Sequence, residues 1–234
     1  MSRPLAASRR RCYGLPAVRR EGRTRPTEGF MTIRLHQRDL PDDYRPGASV
    51  AIDTETLGLN PHRDRLCLVQ LSRGDGEADL VQIAQGQAEA PNLVRLLGDS
   101  SVTKIFHFGR FDLAILQKTF GLRVGPVYCT KIASRLTRTY TDRHGLKDLV
   151  RELLGVEISK QQQTSDWGAA KLSEAQLTYA ASDVLHLHAL REKLDALLVR
   201  EGRAVMAQAC CDFLPTRAEL DLAGWPETDI FAHS

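Results

Sequence analysis

The sequence predicts an α/β domain, a twisted sheet of mixed strand direction with helices on its faces. Two patterns carry that expectation. Short apolar strands follow one another between turn signals in the first half, and strand and helix patterns alternate after them. A third observation is a long helix near the end, opened by the capping pair Ser173 and Gln176.

The elements are expected in this order. The segment MTIRLHQRDLP, from Met31, has the pattern of a first strand and turn. Ser49 to Thr56 (SVAIDTET) reads as a buried strand, and Gly58 and Pro61 mark the turn after it. Leu66 to Leu71 and Ala78 to Ile83 are two more strands, separated by the hairpin signal Gly74-Asp75-Gly76. Pro91 opens a short helix with Leu93, Val94, Leu96 and Leu97 on one face, closed by Gly98. Thr103 to Phe108 is a strand, Arg110 to Phe120 a helix ended by Gly121, and another helix follows Cys129-Thr130. His144 to Leu154 carries leucines and a valine at amphipathic spacing, with Gly155 behind them. The helix from Ser173 is expected to run to about Leu198. That makes five strands.

Length and composition suit one globular domain: 234 residues, 42% hydrophobic and 26% charged. No uninterrupted apolar run is long enough to cross a bilayer, so no membrane span is expected. Five cysteines form no CxxC pair, which fits reduced thiols in a cytoplasmic protein. The net charge of +3 is unevenly distributed. Residues 1–30 hold eight arginines against two glutamates, a surplus of six, which leaves the rest of the chain at −3. A mildly acidic body offers little general attraction to long nucleic acid. The leader lacks hydrophobic periodicity and reads as disordered. A nucleic-acid-binding tail and an arginine-rich targeting peptide are two explanations of it. We favour a third, in which translation starts at Met31 and residues 31–234 form one domain with a short C-terminal helix and tail.

Three acidic segments carry the chemistry: Asp53-Thr54-Glu55, Asp112 within HFGRFD, and Tyr179 to Asp183 in YAASD. Alternation along a strand puts Asp53 and Glu55 on one side. Asp112 falls at the start of a helix after a strand, and Tyr179 and Asp183 lie one helical turn apart on a shared face. Three elements thus bring four carboxylates towards one point. Such a cluster repels itself unless cations neutralise it, and hard oxygen donors suit two Mg²⁺ or Mn²⁺ ions. Two ions roughly 3.5–4 Å apart serve both the attacking and the leaving oxygen of a phosphoryl displacement. Tyr179 would orient or deprotonate the attacking water. Any one fragment alone is an ordinary acidic motif; their order together points to phosphodiester hydrolysis.

IDTETLGL, HFGRFD, SDW and YAASDVLHL resemble the 3′–5′ exonucleases with Asp-Glu-Asp-Asp sites, in the ribonuclease D branch. The resemblance implies a ribonuclease H-like fold and catalysis with two metals at Asp53, Glu55, Asp112 and Asp183. Members differ in whether a His or a Tyr assists the water. The His position holds Thr178, so Tyr179 puts the chain in the tyrosine subtype. TKIASRLTRTYTDRHGLK, SKQQQTSDW and the ending DIFAHS are similar to the nano-RNase C family, which finishes RNA decay. That similarity implies a 5′-phosphorylated diribonucleotide as the short-RNA substrate and a homo-oligomer, an octameric ring. Ribonuclease D carries further C-terminal helical domains that grip tRNA; here the sequence ends soon after the long helix, so no HRDC domain is expected.

Substrate contacts follow less directly. A leucine at the place of Leu59 wedges between bases in similar oligoribonucleases; the alternative is a turn leucine capping the core. His107 is a candidate for the sugar or phosphate, or else a structural histidine. Lys131, Arg135, Arg138 and Arg143 are candidates for the terminal phosphate, or a solvated helix face. Gln163 and Trp167 are expected to shape the pocket wall, with core packing the alternative for Trp167. The segment 214–234, with Trp225 and Phe231, is the candidate ring contact. Two other functions compete: a broader exonuclease acting on longer RNA or DNA ends, and a binding module whose catalysis has decayed.

Overall fold

The structure is a computed structural model and describes residues 32–159 and 161–233. The readings of residues 1–30 and of Met31 as the start lie outside the described residues. Among the described residues six strands form one sheet: β1 (Thr32–Gln37), β2 (Ser49–Thr56), β3 (Leu66–Ser72), β4 (Glu77–Gln82), β5 (Thr103–Phe106) and β6 (Val127–Cys129). Their spatial order is β1-β4-β3-β2-β5-β6. β2, β3 and β4 are antiparallel neighbours, whereas β1 on β4, β5 on β2 and β6 on β5 are parallel. The sequence reading stopped at five strands. β6 is three residues long, too short to show a period, and only its pairing with β5 makes it a strand.

Helices cover both faces. α1 (Pro91–Gly98), α2 (Arg110–Phe120) and α7 (Ala204–Leu222) close one apolar cluster, built on Ile52, Val69, Leu71 and Phe106. α3 (Thr130–Thr137), α5 (Glu174–Leu185) and α6 (Leu187–Arg200) close the other, with Ala51, Ile105, Leu187 and Leu194 fully buried. β3 is buried along its whole length. A strand covered on two faces reads as a continuous apolar run, as LCLVQL does.

Three boundaries depart from the sequence reading. The helix expected over His144–Leu154 starts after Gly145, as α4 (Leu146–Leu149), and continues as one π-helical turn to Leu154. The long helix breaks at His186 into α5 and α6, with no Pro or Gly to mark the break. The C-terminal helix is not short: α7 spans 19 residues and carries Pro215 inside it. Asp221 anchors it to α2 by accepting from Nε and Nη2 of Arg110, at 2.6 and 2.7 Å. Among the described residues no helix is long and apolar enough to cross a membrane.

The capping box at the head of α5 forms as the sequence predicts. The Gln176 amide donates to Ser173 Oγ at 3.3 Å, and the Ser173 amide donates to Gln176 Oε1 at 3.0 Å. This cap fixes where the helix bearing Tyr179 and Asp183 begins. Ser173→Ala is expected to destabilise the fold by about 1 kcal/mol, measured by urea unfolding.

Candidate active site

β2 ends in a bulge, where the pairing shifts between Glu55 and Thr56. The extra twist of a bulge re-aims the side chains beside it. Alternation along β2 turns Asp53 and Glu55 to the same face as Ala51, the one α5 covers, and Asp183 meets them from the helix. Oxygens of these three carboxylates lie within 4.8 Å of one another.

Asp112 reaches the same cleft by another route. After β5 the chain turns sharply: Phe108 sits in the left-handed region at φ 68, and Gly109 follows. A Cβ on Gly109 would stand 2.7 Å from the Phe106 Cβ, so the tight HFG turn requires glycine there. The turn sets Asp112 in the first turn of α2, 5% exposed, where its carboxylate accepts a 2.6 Å hydrogen bond from Thr54 Oγ1. Thr54 lies between Asp53 and Glu55 on β2, so the strand that carries two of the acids also holds the fourth.

The cluster is costly without cations. Burial, then repulsion from Asp112, Asp183 and Glu55, pushes Asp53 well above the usual carboxylate range. Burial, then Asp183 and Asp112, pushes Glu55 up to about 9. Asp112 is raised to about 7 by burial, against the opposing hydrogen bond from Thr54. Burial and the neighbouring carboxylates also raise the Tyr179 phenol, which is hydrogen-bonded to Asp183. An all-oxygen donor set that repels itself this strongly fits a hard divalent cation.

The carboxylates and Tyr179 line one cleft of about 520 Å³, together with Leu59, His107, Lys131 and Gln163. Leu59 is 86% exposed, so it does not cap the core. His107 Nδ1 lies 2.9 Å from Thr130 Oγ1, which itself donates to the Phe106 carbonyl. The histidine therefore presents Nδ1–H to Thr130. Lys131 sits 4.1 Å from the centre of the Phe108 ring. Arg135 lines an adjoining pocket with Lys131 and Phe108 instead.

Three other candidates lie elsewhere. Arg138 is 0% exposed and engaged by the Glu152 carboxylate, Ser134 Oγ and the Arg143 carbonyl. It braces the α3–α4 connection, with its guanidinium directed at partners inside the fold rather than at the cleft. Arg143 is exposed outside the cleft. Trp167 is 2% exposed, with its ring centre 6.0 Å from that of Tyr179, so it packs the tyrosine rather than the cleft wall. Sequence reasoning missed Lys147 and Phe108, both on the cleft wall. The HGLK and HFG segments around them were the available signals.

The fold and the acidic cleft match known proteins. Residues 37–198 match the model of the DNA polymerase A type 3′–5′ exonuclease domain. The chain belongs to the 3′–5′ exonuclease family. Ribonuclease D of Gluconacetobacter diazotrophicus is 40% identical over 154 residues, 66% of this chain and 39% of that protein. The chain thus spans about two fifths of the length of the ribonuclease D relatives it matches. The solved structure of Brucella melitensis NrnC bound to pGG is 66% identical, with a TM-score of 0.84 over 87% of this chain and 100% of that one. NrnC of the same organism with bound Mg²⁺ is also 66% identical, with a TM-score of 0.83 over the same shares. At such identity the six-stranded mixed sheet with flanking helices is the family's ribonuclease H-like exonuclease fold.

Two predictions follow from this geometry. The carboxylate pKa values are raised in the folded state, so the native protein holds protons that the unfolded chain has released. The favourable contribution is therefore complete below about pH 4. It is lost as pH rises through about 7 for Asp112 and about 9 for Glu55. The melting temperature of the chelator-treated protein is expected to fall from pH 6 to pH 9, and added Mg²⁺ is expected to restore more of it at pH 9; differential scanning fluorimetry reads both. Arg138→Met is expected to lose about 1–3 kcal/mol of stability in urea unfolding, with KM for substrate unchanged.

Proposed function

We propose that this 3′–5′ exoribonuclease acts on the shortest RNA, hydrolysing 5′-phosphorylated diribonucleotides to nucleoside 5′-monophosphates. One observation carries the reading: a carboxylate floor and the lysines 131 and 147 share a single cleft of about 520 Å³. A nucleotide needs both, a cation-filled floor for the scissile phosphate and basic side chains for a second phosphate. The solved NrnC complex with pGG, whose whole chain is covered by the match, supports the same substrate class.

In this reading Asp53, Glu55, Asp112 and Asp183 hold two divalent ions, Mg²⁺ or Mn²⁺. Bound there, the ions supply neutralising charge to the phosphate and acidify the attacking water. Tyr179, whose phenol is hydrogen-bonded to Asp183 at the cleft, orients that water through its hydroxyl. Trp167 holds the tyrosine ring in place from behind. Leu59 and the Phe108 ring stand at the cleft as apolar surfaces for the two bases. Lys131 and Lys147 hold the terminal phosphate, with Gln163 and His107 as further polar contacts. Residues 31–234 form one exonuclease domain, working in the cytoplasm as a homo-oligomeric ring. Trp225 and Phe231, 47% and 76% exposed, supply apolar surface for contacts between copies.

A broader exonuclease acting on longer RNA or DNA ends is the competing reading, since chemistry at the phosphate does not sense chain length. The test follows a labelled diribonucleotide and a labelled seven-nucleotide RNA in parallel with Mg²⁺, using Asp183→Asn as the blank. The dinucleotide is expected to disappear far faster, with the variant inactive and still folded. Stepwise trimming of the longer RNA at an equal rate would sink the dinucleotide reading. Wild-type turnover by Asp183→Asn would sink the assigned site.

A further inference from the structure

Gln70 is the one amide in an otherwise apolar run, LCLVQL, and it lies in the middle of β3. Its side chain is 0% exposed, and neither Oε1 nor Nε2 has a hydrogen-bond partner. Buried amides are nearly always bonded, so an orphan at this depth calls for a cause. The pairing register supplies one. Gln70 stands directly opposite Asp53 on the antiparallel neighbour β2, and opposite Leu80 on β4. Directly opposed residues share a face with Cβ atoms roughly 4.5–5.5 Å apart, so Gln70 and Asp53 are side by side beneath α5.

The apolar residues and the serine on that face offer the amide nothing. Leu68 and Leu80 are apolar, and so is Ala180, which packs with them from α5. Ser72, two residues on and on the same face, is occupied: its hydroxyl donates to the Glu77 carbonyl and accepts from the Gly74 amide. The Asp53 carboxylate is the polar group that the register places beside Gln70.

We infer that Gln70 is a positioning residue for the metal site, its unpaired amide N–H placed to hold the Asp53 carboxylate in a ligating orientation. The inference rests on the proposed role of Asp53 as a metal ligand. Carboxylate ligands are commonly oriented by a hydrogen-bonded partner behind them. Because Gln70 lies inside the sheet, it acts on Asp53 from the side away from the cleft, and substrate does not touch it.

The test uses the full chain and Gln70→Met, which keeps the length and removes the amide. Four quantities are read: melting temperature without metal, Mg²⁺ affinity by calorimetry, and kcat and KM on a diribonucleotide. Removing an orphan amide is expected to leave the metal-free melting temperature at or above that of wild type. Mg²⁺ affinity and kcat are expected to fall roughly 10–100-fold, with KM little changed. A folded variant with wild-type Mg²⁺ affinity would overturn the inference, leaving Gln70 a purely structural residue. If Gln70→Met does not fold, Gln70→Asn, whose amide is withdrawn by one methylene, takes its place; undiminished Mg²⁺ binding there overturns the inference equally. Wild-type protein that binds no Mg²⁺ removes the metal-site reading itself, a failure distinct from that of Gln70 alone.

Discussion

Mutual repulsion among half-buried and buried carboxylates is the constraint around which this structure is arranged. Asp53, Glu55 and Asp183 bring oxygens within 4.8 Å of one another, and Asp112 adds a fourth negative group to the same cleft. Folding must hold these groups where they least want to be, desolvated and adjacent. The scaffold does so with rigid parts. A bulge turns the end of β2, a glycine-dependent turn delivers Asp112, and a capped helix fixes Asp183. The same frustration makes the site receptive to divalent cations, since neutralising charge recovers what burial disfavours. Strain stored at a site and held by surrounding structure is a familiar sign of function.

Basic side chains are divided between two tasks. Lys131 and Lys147 border the cleft, where a phosphate carried by substrate can meet them. Arg138 and Arg110 are committed to Glu152 and Asp221, one bracing α3 against the turn beyond it, the other tying α2 to α7. A guanidinium is well suited to the second task because its planar fork pairs a carboxylate bidentately. Sequence proximity put Arg135, Arg138 and Arg143 together with Lys131, yet only the lysine lines the cleft. Charge in a motif says that a cation is present; its direction depends on what packs beneath it.

Much of the site was legible in sequence because its logic is local. Alternation places Asp53 and Glu55 on one side of a strand, a four-residue spacing puts Tyr179 and Asp183 on one helix face, and Ser173 with Gln176 starts that helix. Elements long enough to show a period were legible too, among them β2, β3, α1 and α2. β6 and the break at His186 were not, since three residues carry no period and the break uses neither Pro nor Gly. Leu59 lies exposed on the cleft, where its first reading put it, whereas Trp167 takes its alternative, 2% exposed behind Tyr179.

The sequence by itself determined which groups meet: four carboxylates and a tyrosine, in an order and spacing that a strand and two helices present to one cleft. Covalent spacing suffices there, because a strand alternates and a helix repeats whatever surrounds it. The tertiary structure decided the rest. It showed that Thr54 holds Asp112 across the strand end, that Arg138 is consumed by Glu152, and that Gln70 lies beside Asp53 with its amide unpaired. Those relations join residues far apart in the chain. They are fixed by sheet register and packing, which no local spacing encodes.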